Sequence, residues 1–531
     1  MIPSVVDVFI VGMGPVGTLA ANLLGSRGIS VLIIDSEVDI YSKPRAIAFD
    51  HDAMRILQSC GLAEKIESIS APYSPTEYKG IGNRVISRFD FPEKPYPLGW
   101  CPNYVFRQPQ FEKILRDGLK RFPSVVACAP ATFLSFKQEE NGVVVTIETP
   151  EGQTAIRAQF LLGADGGSSS VRAAIASKME SLDFDEPWLV IDVLCSDDAL
   201  ESLPRTIVQY CNPRRPATYV IGTENHRRWE IMRLPNENWS DDITEEEVWD
   251  LLSPWIKESD ATLWRWANYE FHAVVAETWR ENRVLLLGDA AHMTPPFMAQ
   301  GMTQGFRDAS NLTWKLDEIL KGRAPHRFLD SYMEERAPHV RSTTEVAKGL
   351  GKVICELNAE EANKRDESML SEFGNPPSVR IRQSLIPDFE SGFFEVGQAG
   401  AGSVLPQPHV SYKGGMYLLD DVLGGGPSLL VMADLLDTVK GEDLLKIANT
   451  SEATFCLLVD EAGAEHEFEI EIAEKGHLLA DWFSAHDCKA ALIRPDKYVY
   501  GTASNLLEIN RIIKSYKRRK EGDENESSCS T

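Results

Sequence analysis

No two cysteines in this chain are spaced Cys-x-x-Cys, although nine are scattered along it, at 60, 101, 128, 195, 211, 355, 456, 488 and 529. That spacing offers neither a zinc site nor a dithiol redox pair, and the odd count suits reduced thiols in a cytosol. No apolar run approaches the ~18 residues that a bilayer span needs, so no membrane span is expected. The first eleven residues carry no basic stretch and run through Asp7 into Gly12, the pattern of a core strand and not of a signal peptide. Positive charge is scarce as well. Lys and Arg number 54 against 79 Asp and Glu, a net charge of −25, which repels nucleic acid and anionic membrane surfaces. The expectation is a soluble, cytoplasmic protein with no nucleic-acid partner and no metal site. Its 531 residues and 43% hydrophobic content leave room for three to four folded domains.

What is present is an alternation of buried strands and helices. Val5–Val11 and Ile29–Ile34 are short apolar runs rich in β-branched residues, separated by a helical stretch over Pro15–Arg27. Pro109 opens another helix, and a meander follows from Ala131 to Gly163. Alternating strands fill the next hundred residues, with one helix around Thr244–Ile256. Arg283–Gly288 is again a fully apolar strand, followed by a long helix through Phe306, Leu312 and Ile319. The expected organisation is an α/β protein. Residues 1–180 and 276–371 form one dinucleotide-binding domain, and 181–275 form a β-sheet domain inserted into it. A loop-rich linker at 372–427 precedes a C-terminal domain at 428–516 and a disordered polar tail at 517–531.

Gly12-Met13-Gly14-Pro15-Val16-Gly17 joins the first strand to the first helix. Gly12 permits a tight turn, Gly14 admits a pyrophosphate close to the backbone, and Gly17 lets helix and strand pack. The helix N-terminus offers free N–H groups to the phosphates. Asp35, 21 residues after Gly14, is placed to accept from a ribose hydroxyl. Further along, Pro296–Gly305 is a glycine-containing loop feeding a helix whose positive end can face a developing negative charge.

Two further segments resemble motifs of the flavoprotein aromatic hydroxylases. Phe160–Gly166 followed by Ser170-Val171-Arg172 resembles their "DG" motif, and Leu287–His292 with Pro295-Pro296 resembles their "GD" motif. Lys43-Pro44-Arg45-Ala46 and Arg107-Gln108-Pro109 are similar to segments that lie along the cofactor in that family. The resemblance spans about residues 5–350 and implies a Rossmann-like FAD-binding domain. It implies that Asp289 holds the ribityl chain of FAD and that Asp165 lies near the pyrophosphate and the path of NADH or NADPH. Arg45, Arg107, Gln108, Pro296, Gly301, Met302 and Asn311 are implied as further cofactor contacts. Ala299 and Thr303 stand where the family often has Gly and Asn. Within the family the likeness is greatest to hydroxyphenylpropionate hydroxylase-like and phenol hydroxylase-like members, which carry a thioredoxin-like C-terminal domain. Without a Cys-x-x-Cys pair, that domain is expected to pack or to bind, not to exchange disulfides.

The implied activity is hydroxylation of a small phenolic or related aromatic substrate. NAD(P)H reduces FAD, molecular oxygen adds at the flavin C4a position to give a hydroperoxide, and the ring attacks its terminal oxygen. Substrate-binding candidates are Gln209, Tyr210, Tyr219, His226 and Arg233 on the inserted sheet, and the loop Phe49–His51. Tyr219, Arg233, Asp50 and His51 are the catalytic candidates. Asp50, with His51, is the expected acceptor of the phenolic proton, or else the cap of a helix beginning near Asp52. Two readings compete: a non-oxygenating FAD oxidoreductase of the same fold, and a binding protein with a relic FAD. A homodimer is a further expectation. Every cofactor motif lies upstream of residue 372, so a chain cut before about residue 400 is expected to keep its FAD site.

Overall fold

The computed structural model describes residues 2–237, 243–450, 452–459 and 468–522. At its centre, Val5–Val11 pairs in parallel with Val31–Ile34 on one side and Gly152–Gly163 on the other. Val284–Leu286 and Val125–Cys128 extend this sheet in parallel at either end. The helix Pro15–Ser26 forms the crossover between the first two strands. The meander is also present, as Thr132–Glu139, Gly142–Thr149 and the first half of Gly152–Gly163. Strands buried on both faces need apolar side chains at every position, which is why these runs do not alternate.

Register is what positions the site. Val11 stands beside both Ile34 and Gly163, and Gly163 stands beside Leu286. The loops leaving these strands therefore emerge along one edge, carrying Gly12, Asp35, Asp165 and Asp289. Open α/β sheets bind ligands at this carboxyl edge.

The second sheet has nine strands and is wider than the segment 181–275. Five strands, from Met179–Cys195 to Ala261–Ala276, come from that segment and its border. Thr76–Lys79 and Val85–Asp90 join from upstream, and His292–Met293 and Val379–Ile381 from downstream. The stretch 372–427 is accordingly more than a linker. Val379–Ile381 completes the second sheet, while His409–Tyr412 and Gly415–Leu418 enter the third. Strands of three or four residues leave too little alternation to be seen in sequence. The third sheet continues through Glu471–Glu474, Thr454–Leu458, Ser428–Met432, Ala490–Ile493 and Val499–Ala503. Its last helix, Leu506–Glu521, runs past residue 516 into the expected tail, and residues 523–531 lie outside the described set.

One apolar core runs through the first sheet and onto one face of each of the other two, whose opposite faces pack against separate clusters. The C-terminal domain is fixed to the first by buried ion pairs, Arg494 with Glu335 and Arg55 with Asp420.

Candidate active site

One cleft of about 1300 Å³ runs from the carboxyl edge of the parallel sheet to the face of the second sheet. A single drug-sized ligand takes roughly 300–1,000 Å³, so this space suits a dinucleotide and a second molecule together. Gly12, Gly14, Asp35, Arg45, Gln108, Asp165, Asp289, Pro296, Gly301 and Met302 all line it.

The glycines divide their work as their spacing predicts. Gly12 has φ +103°, and a Cβ there would lie 2.3 Å from the Ala164 carbonyl oxygen. A Cβ on Gly17 would come within 2.1 Å of the Gly12 oxygen, so this glycine lets the helix reach the strand. Gly14 meets nothing within 4 Å, and no side chain caps the helix that it opens. Its open side and the free N–H groups of the first turn face the cleft, which fits a phosphate. Asp35 accepts from the Met13 N–H at 2.7 Å and holds the loop to the second strand. Asp165 accepts from the Ser170 and Val171 N–H groups at 2.7 and 3.1 Å. Asp289 receives no hydrogen bond among the described residues. It faces the cleft with protein behind it, and that desolvation raises its pKa. A ligand hydroxyl would satisfy it. Gln108 takes the Arg45 and Ala46 N–H groups at 3.0 and 2.6 Å, so it shapes the loop bearing Arg45.

Ala299 adopts the left-handed conformation, φ 54° and ψ 39°, at the turn before the helix Gly301–Leu320. This is the physical reason for glycine there, since a Cβ in that region costs roughly 1–2 kcal/mol. Glycine loses about 0.5–1 kcal/mol in the unfolded chain. Ala299→Gly is therefore expected to stabilise by about 0.5–1 kcal/mol, read as a higher melting temperature.

The floor of the other end is built by two rows of side chains across the second sheet. One runs Tyr78, Gln209, Thr218, Glu230, Val190. The next runs Val220, Arg228, Asp192, Arg265. Phe89, Ile207, Phe271, Phe297 and Leu350 add apolar wall, and Arg382 arrives from beyond the last strand. Asp192 is fully buried. Burial alone would raise its pKa, but Arg228 and the His226 hydrogen bond bring it below the ordinary value. It pairs with Arg228 at 2.8 Å and lies 3.6 Å from Arg265. Both arginines donate to the Pro44 carbonyl, and Arg228 also to that of Arg45, at 2.7 Å. The second sheet thus grips the loop of Arg45.

Eight of the expected residues lie elsewhere. Tyr219 is on the opposite face of its strand, packed at a tilt against Trp229 in the second core, with its hydroxyl donating to the Pro204 carbonyl. Successive strand residues face opposite ways, so Thr218 and Val220 take the cleft instead. Arg233 lies past the end of its strand, outside the cleft. Asp50 caps the helix His51–Ser59 through the Asp52 and Ala53 N–H groups. Burial would raise its pKa, but Arg307, His51 and the Gln300 hydrogen bond outweigh that and lower it. Burial lowers His51 to about 4, so the imidazole is neutral. Neither lines the cleft, and both are held in the buried cluster at the start of this helix. Arg107 turns to Glu224 and Asn225 at 3.1 Å each and does not line the cleft. Asn311 donates to Glu335 at 2.6 Å, in the ion cluster under the C-terminal domain. Of the other substrate candidates, Gln209 lines the cleft, whereas Tyr210 and His226 do not. Arg228, Glu230, Arg265 and Arg382 were missed.

A phosphate-ready glycine turn, a ribose acid and an unpartnered acid on one sheet edge define a flavoprotein-type dinucleotide site. The profile described as "FAD binding domain" matches residues 5–347, and one described as "HcaD C-terminal domain" matches 402–519. The chain belongs to this FAD-binding family. It is 35% identical over 521 residues to a probable NADH-specific resorcinol 4-hydroxylase of Rhodococcus jostii (strain RHA1), covering 96% of this chain and 94% of that one. It is 30% identical over 516 residues to a 3-(3-hydroxy-phenyl)propionate/3-hydroxycinnamic acid hydroxylase of Shigella sonnei (strain Ss046), covering 94% and 92%. Among solved structures it shares the fold of aklavinone-11 hydroxylase in complex with FAD and aklavinone. That match has a TM-score of 0.77 and 20% identity, and covers 98% of this chain and 100% of the other. The flavin-dependent monooxygenase PieE matches with the same TM-score at 18% identity, covering 97% and 98%. Among the described residues no helix is long and apolar enough to cross a membrane.

Proposed function

We propose that this chain is an FAD-dependent monooxygenase that hydroxylates a small phenol with NADH and molecular oxygen. The observation that carries the reading is a single cleft. At one end it has the glycine turn and the three acids of a dinucleotide site, and at the other an aromatic-walled floor with polar side chains. The NADH-specific relative supports NADH as donor. FAD, when bound, supplies the acceptance of hydride and the activation of oxygen. The chain's own residues do the rest. Gly14 and the first helical turn receive phosphate, Asp35 and Asp289 accept from hydroxyl groups, and Arg45 lies along the cleft wall. Phe89, Phe271 and Phe297 hold the ring and exclude water.

The C-terminal domain supports a thioredoxin-like reading by its order. Parallel Ser428–Met432 and Thr454–Leu458 flank the helix Gly441–Thr450. Leu478–Ala485 follows, then the antiparallel pair Ala490–Ile493 and Val499–Ala503, and a last helix. Its Cys456 and Cys488 are buried, which pushes both thiols up, Cys488 to about 12. That argues for packing, not thiol chemistry. A cytoplasmic site of action suits a nicotinamide co-substrate.

The reading is tested by FAD titration and by substrate-stimulated NADH oxidation with resorcinol and hydroxyphenylpropionates. Labelled oxygen should enter the product, one atom per NADH. Consumption of NADH without that incorporation would favour a non-oxygenating oxidoreductase. Asp289→Ala should weaken FAD binding about tenfold, the scale of one hydrogen bond to a charged group.

A further inference from the structure

One ionisable side chain of the cleft, away from the cofactor edge, has a loose ion pair with Arg228 as its contact with the protein. Glu230 stands in the polar row, opposite Thr218 on one neighbouring strand and Val190 on the other. Its side chain is 9% exposed, and it lines the cleft. No hydrogen bond among the described residues reaches its carboxylate. Arg228 Nη1 lies 3.8 Å from Oε1, too far for one, and is directed to the Arg45 carbonyl. A buried carboxylate without donors is costly, and such a cost persists where a ligand completes the site.

Its surroundings suit a transferable proton. On its own strand stands Arg228, on the next Asp192, and beyond that Arg265. Tyr78 and Gln209 face the cleft from the strands on the other side, and Arg382 lines the same cleft. Asp192 neutralises one of the two neighbouring arginines, which leaves a positive surplus that favours one anion. Gln209 accepts the Thr218 hydroxyl at 2.5 Å, which leaves its amide hydrogens free to donate beside the Glu230 acceptor. A donor and an acceptor over an aromatic-walled floor match a phenolic ring.

We propose that Glu230 is the catalytic base that takes the proton of the substrate's phenolic hydroxyl. The inference rests on the phenolic reading of the function. In this step the phenol O–H bond breaks, its electron pair stays on the phenolate oxygen, and the proton goes to a Glu230 carboxylate oxygen. Nothing is oxidised or reduced. The negative charge only moves across the hydrogen bond and remains near the same arginines. Burial, partly opposed by Arg228, places the carboxyl at about 7, so it is ionised above neutrality and poised near working pH.

The test compares FAD-loaded wild type, Glu230→Gln and Glu230→Asp. Turnover of resorcinol and 3-(3-hydroxyphenyl)propionate is followed from pH 5.5 to 9, and 4-nitrophenol serves as a coloured binding probe. In the wild type, kcat/KM should rise through about pH 7. Glu230→Gln should lose that limb, fall about 100-fold at pH 8 and divert NADH to hydrogen peroxide, with FAD content unchanged. Glu230→Asp should keep the limb at a lower rate. Bound nitrophenol should ionise at lower pH in Glu230→Gln, where no second anion competes for the arginines, than in the wild type. An unchanged pH limb and unchanged coupling in Glu230→Gln overturn the proposal, as does an equal phenolate fraction in both proteins. If no phenol turns over but the probe ionises in a Glu230-dependent way, the activity reading fails and the base stands. If no phenol binds at all, both fall.

Discussion

Arg494→Met is expected to destabilise the protein by roughly 3–5 kcal/mol near neutral pH, the cost of leaving a buried charge uncompensated. Arg494 is fully buried and donates through Nη1 and Nη2 to Glu335 at 3.0 and 2.9 Å. Through Nε and Nη2 it also donates to Asp496 at 3.0 and 2.6 Å. Glu335 receives Lys315 at 2.9 Å, Asn311 at 2.6 Å and the Phe393 N–H at 2.8 Å besides. Two cations and two carboxylates balance in this cluster, and removing Arg494 leaves one negative charge in excess. Burial would push the Glu335 carboxyl up, but Arg494 and Lys315 hold it at about 2.

The sign of the pH dependence follows. A depressed carboxyl pKa contributes stability that is present above the unfolded value, near ~4.3, and is lost as pH falls toward 2. The gap between wild type and Arg494→Met should therefore be widest near neutrality and shrink in acid, as read by urea unfolding at pH 7 and pH 3. The double variant Arg494→Met with Glu335→Gln should recover part of the loss, because it removes the stranded charge. A pH-independent gap would mean that lost packing, not charge, sets the cost. The same cluster revises the expectation for a chain cut before residue 400. That cut removes Arg494, Asp496 and Asp420 together, leaves Arg55 without its carboxylate and uncovers the apolar core shared with the third sheet, so the shortened chain should fold poorly although it retains every cofactor motif.

The gathering of the glycine turn and the acids at one sheet edge was legible because local backbone chemistry dictates it. A glycine turn between a buried strand and a helix, and acids just past strand ends, are contiguous signals, and parallel register brings their loops to one edge. The substrate floor is built differently. Its residues come from neighbouring strands and from the distant segment that carries Arg382, and no contiguous pattern joins them. A usable signal did exist within single strands. In His226–Met232, Arg228 and Glu230 alternate with Trp229 and Ile231, and in Ala217–Ile221, Thr218 and Val220 alternate with Tyr219. Parity alone assigns the first set to one face and Tyr219 to the other. Asp50 shows the converse limit. Its neighbours in sequence read as a base on a loop, but its hydrogen bonds go to the helix it caps and to Gln300 and Arg307, some 250 residues away, which no local pattern shows. The second and third sheets were underestimated for the same reason, since their edge strands are borrowed from segments with no pattern of their own.

Gly14→Ala should separate the demands of the fold from those of the cofactor. Gly14 has φ −69° and ψ −178°, a conformation open to any residue, and a Cβ there meets nothing within 4 Å. Nothing in the protein itself requires glycine at this position. The variant without cofactor should melt within about 0.5 kcal/mol of the wild type, as a substitution without contacts does. Its affinity for FAD should fall at least about tenfold, because a methyl group would occupy the space through which a pyrophosphate approaches the helix N-terminus. Gly17→Ala should behave in the opposite way. Its Cβ would lie 2.1 Å from the Gly12 oxygen, a backbone atom that cannot step aside, so the first strand and helix must separate. That variant should lose stability before any question of cofactor arises. Calorimetry of the cofactor-free proteins and fluorescence titration with FAD distinguish the two. If Gly14→Ala binds FAD as tightly as the wild type, the pyrophosphate does not lie at this turn, and the assignment of the sheet's carboxyl edge to the dinucleotide fails with it.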